Sequence, residues 1–137
     1  MLAQQILNKG EFSCVVVQEG ELKHAVSGHG VKPLLKLYQE NIEDLKDSSI
    51  ADKLIGKAAA VILVCASVKE VYAKTISKQA LELLQRYNIK VEYDILKEEI
   101  RNRDDTDMCP LEKVVQNVDE PDDALRALLN FMSWFKI

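Results

Sequence analysis

The stretch of residues 68–96, "VKEVYAKTISKQALELLQRYNIKVEYDIL", places a helical pattern between two β-rich segments. Residues 68–77 and 89–96 are rich in the β-branched and aromatic side chains that strands favour. Between them, Ser77 is typical of a helix N-cap, and apolar residues follow it at helical spacing. A strand, a helix and a strand within about 30 residues form a βαβ unit, which predicts two parallel strands joined by a right-handed crossover.

The residues before this unit predict a hairpin and an amphipathic helix. Phe12–Gln18 and Glu21–Ser27 have the composition of strands, and a two-residue turn with glycine joins them. Pro33 suits the first turn of a helix, and the apolar residues that follow it as far as Leu45 share one helical face. A short leading helix is predicted over residues 2–8.

The segment of residues 48–66, "SSIADKLIGKAAAVILVCA", is predicted to form one helix in the centre of the protein. Ser49 and Asp52 near its start have the spacing of a capping box. Its later turns have no polar face, and a helix that is apolar all round must be covered on several sides.

Two lysines and a glycine interrupt the first half of this predicted helix. Lys53 and Lys57 lie four residues apart, so a single helix would point both ammonium groups the same way. These lysines either receive a phosphate or carboxylate, or extend to solvent or to an acidic loop. Gly56 costs about 1 kcal/mol relative to alanine in a helix interior, which suits a place where backbone or a ligand comes close.

Two prolines mark helix starts near the C-terminus. Pro110 begins a short helix, and Pro121 begins a last, amphipathic one. The whole order is therefore a hairpin, two helices, a βαβ unit and two more helices. This order predicts one domain of the α/β class over residues 1–137, with three α/β/α layers around a mixed sheet of four to five strands.

Composition restricts the class of protein and its compartment. The 137 residues carry a net charge of −4, which argues against a nucleic-acid backbone as partner. The longest apolar run, Ala58–Ala66, is shorter than the ~20 residues that cross a membrane, and the N-terminus lacks the pattern of a signal peptide. Three widely spaced cysteines indicate reduced thiols, so we expect a cytoplasmic protein with neither a membrane nor a nucleic-acid partner.

The element order, with a fully apolar helix behind the hairpin, resembles the cytidine-deaminase-like fold. The stretches "ADKLIGKAAAVILV", "VKEVYAKTIS" and "DMCPLE", residues 51–64, 68–77 and 107–112, are together similar to a small prokaryotic family of unknown function assigned to that fold. The resemblance covers nearly the whole chain. It implies a family and a fold, but no reaction.

Zinc deaminases of this fold carry H-x-E at the head of the buried helix and P-C-x-x-C after the next strand. Here the stretch Asp52–Ala58 contains no histidine, and Thr75–Ala80 contains no cysteine. His24 and His29 lie five residues apart with no cysteine pair nearby. We therefore expect no zinc, no other cofactor and no zinc-dependent deaminase activity.

The stretch of residues 101–112, "RNRDDTDMCPLE", combines several acids with a cysteine outside any apolar run. The helix start at Pro110 favours a thiolate at Cys109, whereas the neighbouring aspartates disfavour it. Cys109 is therefore either a nucleophile or a thiol that lines a pocket. Asp107 and its neighbouring aspartates either cap helices in solvated loops, or turn into a cleft beyond the parallel strands and meet the lysines.

The loop "SGHGVKP", residues 27–33, is a second place where an anion could be held. Its glycines either let a strand exit with positive φ or bring backbone N–H groups at a helix start towards an anion. A single G-x-G pattern does not choose between these two interpretations.

The predicted site joins the start of the buried helix to the acidic loop. Its residues are Asp52, Lys53, Lys57, Asp107, Cys109 and Glu112. We expect this site to bind a small anionic or nucleotide-like ligand, by analogy with the pocket of the fold. One alternative is a metal-free enzyme that uses Cys109 or a loop acid. The other is a non-catalytic interaction module, such as a homodimer formed through the hairpin or the last helix.

Overall fold

A computed structural model describes residues 1–28, 30–100 and 110–134. The strands are β1 (Cys14–Gln18), β2 (Glu21–Val26), β3 (Ser49–Ile55), β4 (Glu70–Ser77) and β5 (Lys90–Lys97). The helices are α1 (Leu2–Lys9), α2 (Lys32–Glu40), α3 (Ile42–Leu45), α4 (Lys57–Cys65), α5 (Lys78–Arg86), α6 (Pro110–Val115) and α7 (Pro121–Trp134).

The strands form one mixed sheet with the order β2-β1-β3-β4-β5. Strand β1 is antiparallel to β2 and to β3, whereas β3, β4 and β5 run parallel to one another. The structure confirms the predicted hairpin, the parallel βαβ unit of residues 68–96 and a mixed sheet, which has five strands.

Helices cover both faces of the sheet, as the predicted α/β/α layers require. Val15 and Val17 of β1 pack with α1, while Cys14 and Val16 belong to a larger cluster that includes residues of α2, α4, α5 and α7. Because successive side chains of a strand point to opposite faces, the two clusters lie on opposite sides of the sheet.

The segment of residues 48–66 is a strand followed by a helix, so the prediction of one continuous helix is wrong. Ile50, Ala51 and Ile55 are buried in β3, which pairs with β1 on one side and β4 on the other. Gly56 has an extended backbone and separates β3 from α4. A buried strand and a buried helix both lack a polar face, so hydrophobic periodicity does not distinguish them.

The polar residues of this segment consequently lie elsewhere than predicted. Ser49 does not begin a capping box, and its hydroxyl instead donates a hydrogen bond to the Glu70 carboxylate at 2.7 Å. Lys53 lies on β3 with an exposed side chain, whereas Lys57 is the buried first residue of α4. The two ammonium groups therefore do not share a helical face.

Helix α4 runs through the middle of the helical layer. Every residue from Ala58 to Leu63 is buried, and the helix contacts α2, α5, α6 and α7. The alanines at positions 58–60 let neighbouring elements approach closely, and larger apolar residues fill the remaining space. This cover is what a helix without a polar face needs, so its predicted central position is correct.

Three helices begin at the residues that local sequence signals predicted. The Ser77 hydroxyl accepts a hydrogen bond from the Ala80 N–H at 3.2 Å, which confirms the predicted N-cap of α5. Pro110 and Pro121 are the first residues of α6 and α7, as predicted.

None of the helices within residues 1–28, 30–100 and 110–134 has the length and apolar composition of a membrane span.

The helix predicted from Pro33 to Leu45 is divided in two. Asn41 ends α2 with φ −137° and ψ 40°, which are not helical angles, and its N–H still donates to the Leu37 carbonyl. The four residues of α3 follow directly. Leu45 is buried, as the helical pattern predicted. Ile42 is 42% exposed, because the break at Asn41 turns it away from the face predicted for one continuous helix.

Candidate functional site

The head of α4, formed by Gly56 and the backbone N–H groups of Lys57 and Ala58, holds a carboxylate of the protein itself. The Lys57 N–H donates to Glu112 Oε1 at 2.7 Å, and the Ala58 N–H donates to Glu112 Oε2 at 2.8 Å. Helix N-termini attract anions because their first N–H groups lack partners within the helix and the helix dipole is positive there. Glu112, which is 7% exposed, thus occupies the position where an external anion was predicted.

Gly56 is required by this arrangement. A Cβ atom added to Gly56 would overlap the Glu112 carboxylate. The close approach expected at this glycine is therefore present, and a side chain on α6 makes it rather than a ligand. Burial raises the pKa of the Glu112 carboxyl, while the Ala58 and Lys57 N–H groups and the Lys57 ammonium act to lower it.

The side chain of Lys57 is also engaged within the protein. It is 8% exposed, and its Nζ donates to the backbone carbonyl of Gln116 at 3.3 Å. Burial lowers the pKa of the Lys57 ammonium, and the Asp119 and Glu112 carboxylates act against that effect. Lys57 therefore fixes the chain after α6 to the head of α4.

Asp52 lies on β3 directly opposite Cys14 on β1. It is 9% exposed, and one of its carboxylate oxygens accepts a hydrogen bond from the Leu54 N–H at 3.2 Å. Burial raises the pKa of the Asp52 carboxyl to about 7, although the Leu54 and Lys53 N–H groups and the Cys14 thiol act to lower it. The pKa of Cys14 is raised well above its usual value by burial and by Asp52.

The structure brings together only part of the predicted site. Lys57 and Glu112 are in contact, although 55 positions separate them. Asp52 makes its contacts with Cys14 and with backbone N–H groups within β3, and Lys53 points an exposed side chain away from the core. Asp107 and Cys109 lie outside the described residues, so a nucleophilic Cys109 or a catalytic loop acid stays a prediction.

A cleft of about 440 Å³ opens between β2 and α2, and we name it the β2–α2 cleft. It is lined by His24, Val26, Ser27, Gly28, Lys32, Pro33, Lys36, Leu37, Glu40 and Asn41. Four residues of this lining, Ser27, Gly28, Lys32 and Pro33, belong to the stretch "SGHGVKP" singled out in the sequence. The sequence analysis gave Lys32 and Lys36 no role in a site. Which side of α2 faces a cavity depends on where α2 lies relative to β2, and the sequence does not show this.

His24 at the β2–α2 cleft contacts Asp44. His24 Nε2 lies 2.9 Å from Asp44 Oδ2, and the two side chains are 21% and 35% exposed. The contact joins β2 to α3 across 20 positions of sequence. The sequence analysis considered His24 only as a zinc ligand, because nothing in the local pattern connects it with Asp44.

A second cavity, of about 320 Å³, lies beyond the carboxyl ends of β4 and β5. It is lined by Lys78, Gln79, Glu82, Glu98, Glu99 and Gln116. Three carboxylates against one ammonium make this cavity unfavourable for an anion. Among residues 1–28, 30–100 and 110–134, no three His, Cys, Asp or Glu side chains come together in a way that could hold a metal ion.

Fold and site together define a class: an α/β/α protein with a mixed five-stranded sheet whose central helix is capped by one of its own carboxylates. The chain belongs to the family described as a domain of unknown function, DUF1893, whose model matches residues 2–132. The resemblance to a family of unknown function is thereby confirmed. None of the curated proteins compared matches the chain.

Solved structures similar to this chain include a member of the same family. A DUF1893 family protein (TM1506) from Thermotoga maritima is 32% identical, with a TM-score of 0.87 over 94% of this chain and 86% of that one. RibD from Acinetobacter baumannii is 20% identical, with a TM-score of 0.46 over 68% of this chain and 33% of that one. The dCMP deaminase from cyanophage S-TIM5 is 18% identical, with a TM-score of 0.46 over 67% of this chain and 88% of that one.

Proposed function

We propose that the protein binds a small anionic, nucleotide-like molecule in the β2–α2 cleft. The observation that carries the proposal is the convergence of three basic side chains, His24, Lys32 and Lys36, on one cavity of about 440 Å³. That volume falls within the range of roughly 300–1,000 Å³ that is usual for small-molecule sites.

The arrangement of the cleft suits a molecule with one charged end and one apolar end. Lys32 and Lys36 are four residues apart on α2, so both ammonium groups project on the same side of the helix. Val26, Pro33 and Leu37 supply apolar lining next to them. A phosphate or carboxylate would lie against the lysines, while a planar ring would pack on the apolar residues.

The head of α4 supports this choice of cleft by exclusion. The ligand was predicted to bind there, but Glu112 already accepts hydrogen bonds from the Lys57 and Ala58 N–H groups. An external anion would have to displace a carboxylate that is attached to the chain, and therefore present at a high effective concentration. The lysines of the β2–α2 cleft are exposed, and no hydrogen bond from the protein fills the place beside them as Glu112 fills the head of α4.

Adenosine monophosphate and adenosine form a matched pair of probes for this proposal. We expect adenosine monophosphate to raise the melting temperature and to shift amide resonances of β2 and α2, while adenosine alone does neither. Lys36→Gln should weaken binding roughly tenfold, as the loss of one charge contact of about 1.4 kcal/mol predicts. Lys69→Gln, which changes an exposed lysine before β4, is the control and should bind as the wild type does.

Two results would refute the proposal. One is that adenosine monophosphate and inorganic phosphate both leave the resonances of β2 and α2 unchanged at millimolar concentration. The other is that Lys36→Gln and Lys69→Gln bind with the same affinity.

We propose as a second candidate function that the protein associates with another copy of itself through β5. In the described part of the chain, β5 is hydrogen-bonded to β4 on one side and forms an edge of the sheet on the other. Tyr93 and Ile95 on β5 are 41% and 49% exposed. Val91, Tyr93 and Ile95 alternate symmetrically about Tyr93, so an antiparallel pair of β5 strands would align Val91 of each copy with Ile95 of the other.

The other edge strand, β2, provides the control for this second candidate. A register shift between Val16 and Val17 interrupts its pairing with β1, and such irregularities discourage edge-to-edge association. Ile95→Lys should convert a dimer into a monomer in size-exclusion chromatography with light scattering. Leu22→Lys, which changes a side chain on β2 that is 51% exposed, should not. A monomeric wild-type protein at high concentration would exclude this candidate.

A further inference from the structure

The charges around His24 come from two helices that pack beside β2. Lys32, Lys36 and Glu40 of α2 line the same cleft as His24, and Asp44 of α3 contacts its ring. Among the described residues at this place, two ammonium groups therefore face two carboxylates. The net charge around the cleft is close to zero when His24 is neutral, and it becomes positive when His24 takes a proton.

The geometry of His24 favours such a protonation when an anion binds. His24 Nε2 lies 2.9 Å from Asp44 Oδ2, so an imidazolium would keep this carboxylate as its partner. A bound anion would stabilise the charged form of a histidine beside it. Both side chains are partly buried, which strengthens the attraction relative to a pair in open solvent.

We propose that anion binding in the β2–α2 cleft is coupled to the uptake of a proton by His24, with Asp44 holding the ring in place. The proposal rests on the proposed function, because it assigns a regulation to the same site. Histidine is the side chain whose charge ordinarily changes in the neutral pH range. The protein would therefore hold its anionic ligand more tightly in mildly acidic conditions and release it as the pH rises.

Sulfate is the probe that separates the titration of the protein from that of the ligand. It stays a dianion between about pH 5 and pH 8, the range in which histidine titrates, whereas phosphate changes its own charge there. We expect sulfate to bind roughly tenfold more tightly at about pH 5.5 than at about pH 8, the effect of one added positive charge near the anion. Calorimetry in two buffers with different ionisation enthalpies should show proton uptake on binding at neutral pH.

His24→Gln tests whether His24 is the group that takes up the proton. Its amide can still donate to Asp44, but it does not titrate, so sulfate affinity should no longer depend on pH and should stay near the high-pH value of the wild type. His29, the other histidine of the chain, is unchanged in this variant. The proton count from calorimetry is measured on the wild-type protein and on His29→Gln, and proton uptake that persists in His29→Gln supports the proposal even if His24→Gln does not fold.

The outcomes separate this inference from the proposed function. Failure of sulfate to bind at any pH would refute the proposed function, and the inference with it. Sulfate that binds with the same affinity at every pH, with no proton uptake, would overturn the inference alone. So would a His24→Gln protein that keeps the pH dependence of the wild type.

Discussion

The head of α4 and the two lysines of the β2–α2 cleft both carry positive charge, but they differ in whether the protein supplies the negative partner itself. At the head of α4, Glu112 accepts two hydrogen bonds of 2.7 and 2.8 Å in a buried environment. At the cleft, Lys32 and Lys36 line a cavity of about 440 Å³ with exposed side chains. The difference teaches that a helix N-terminus in the core is satisfied by folding, whereas flexible surface cations stay available to a ligand.

Glu112→Ala is expected to have the largest effect, because it leaves two buried N–H groups at the head of α4 without an acceptor. We predict a loss of roughly 3–5 kcal/mol in the free energy of unfolding, from the lost charged hydrogen bonds and the unsatisfied donors. Urea denaturation of the variant and of the wild type measures this loss. Acetate should restore part of the stability of this variant, since the vacated site then resembles the open cleft.

The control for Glu112→Ala is Glu82→Ala, which removes an exposed carboxylate on α5. We expect it to change the unfolding free energy by less than about 0.5 kcal/mol. Equal losses in the two variants would show that the contacts of Glu112 with Lys57 and Ala58 do not stabilise the fold.

Asp52→Asn should have the next largest effect, and it depends on pH. The pKa of Asp52 rises from 3.8 to about 7 on folding because of burial. The folded state therefore holds the proton more tightly, so the stabilisation from Asp52 is full below about pH 4 and is lost as the pH rises through about 7. Asparagine does not ionise. The variant should gain stability over the wild type as the pH rises from 4 to 8, by up to about 4 kcal/mol.

Thermal or urea unfolding across this pH range measures the effect of Asp52→Asn. Glu11→Gln, a change at an exposed acid, is the control and should follow the wild type at every pH. A stability difference between Asp52→Asn and the wild type that stays the same from pH 4 to pH 8 would contradict a raised pKa of Asp52 in the folded protein.

Gly56→Ala tests how tightly Glu112 fills the head of α4. The added methyl group would overlap the Glu112 carboxylate, which is held by two hydrogen bonds and has little room to move. We predict a loss of about 1–3 kcal/mol in unfolding free energy. In a Glu112→Ala background the same substitution should cost much less, because the atoms that it meets are gone, and a double-mutant cycle measures this coupling.

The double substitution Lys32→Gln and Lys36→Gln should have the smallest effect on stability. Both side chains are exposed, so we expect the unfolding free energy to change by less than about 0.5 kcal/mol. Anion binding should be lost at the same time. A large loss of stability would show that the lysines of the cleft serve the fold as Glu112 does, and the contrast between the two regions would then fail.

Elements with a local signal could be predicted from the sequence. Ser77 marks the start of α5, Pro110 and Pro121 mark α6 and α7, and the strands of the βαβ unit carry β-rich composition. Strand β3 was missed because it and α4 follow each other with one residue between them and both carry buried apolar side chains, so a buried strand and a buried helix look alike. Gly56 was the signal that could have divided them.

The residues of the site depended on contacts that no local pattern contains. Lys57 meets Glu112 across 55 positions, and His24 meets Asp44 across 20. The site prediction named Lys57 and Glu112 but expected them to face a ligand, because the sequence does not show that a carboxylate of α6 reaches the N–H groups of α4. The cleft itself arises from the packing of α2 beside β2, which is a property of the tertiary structure.

The hydrogen bonds of Glu112 have a consequence for how the chain folds as it leaves the ribosome. The Lys57 N–H at the head of α4 is synthesised 55 residues before Glu112, so it lacks this acceptor while the residues between them emerge. Contacts between residues far apart in sequence form late, because a long loop must close first. The head of the central helix therefore obtains its acceptor only after α6 has been made.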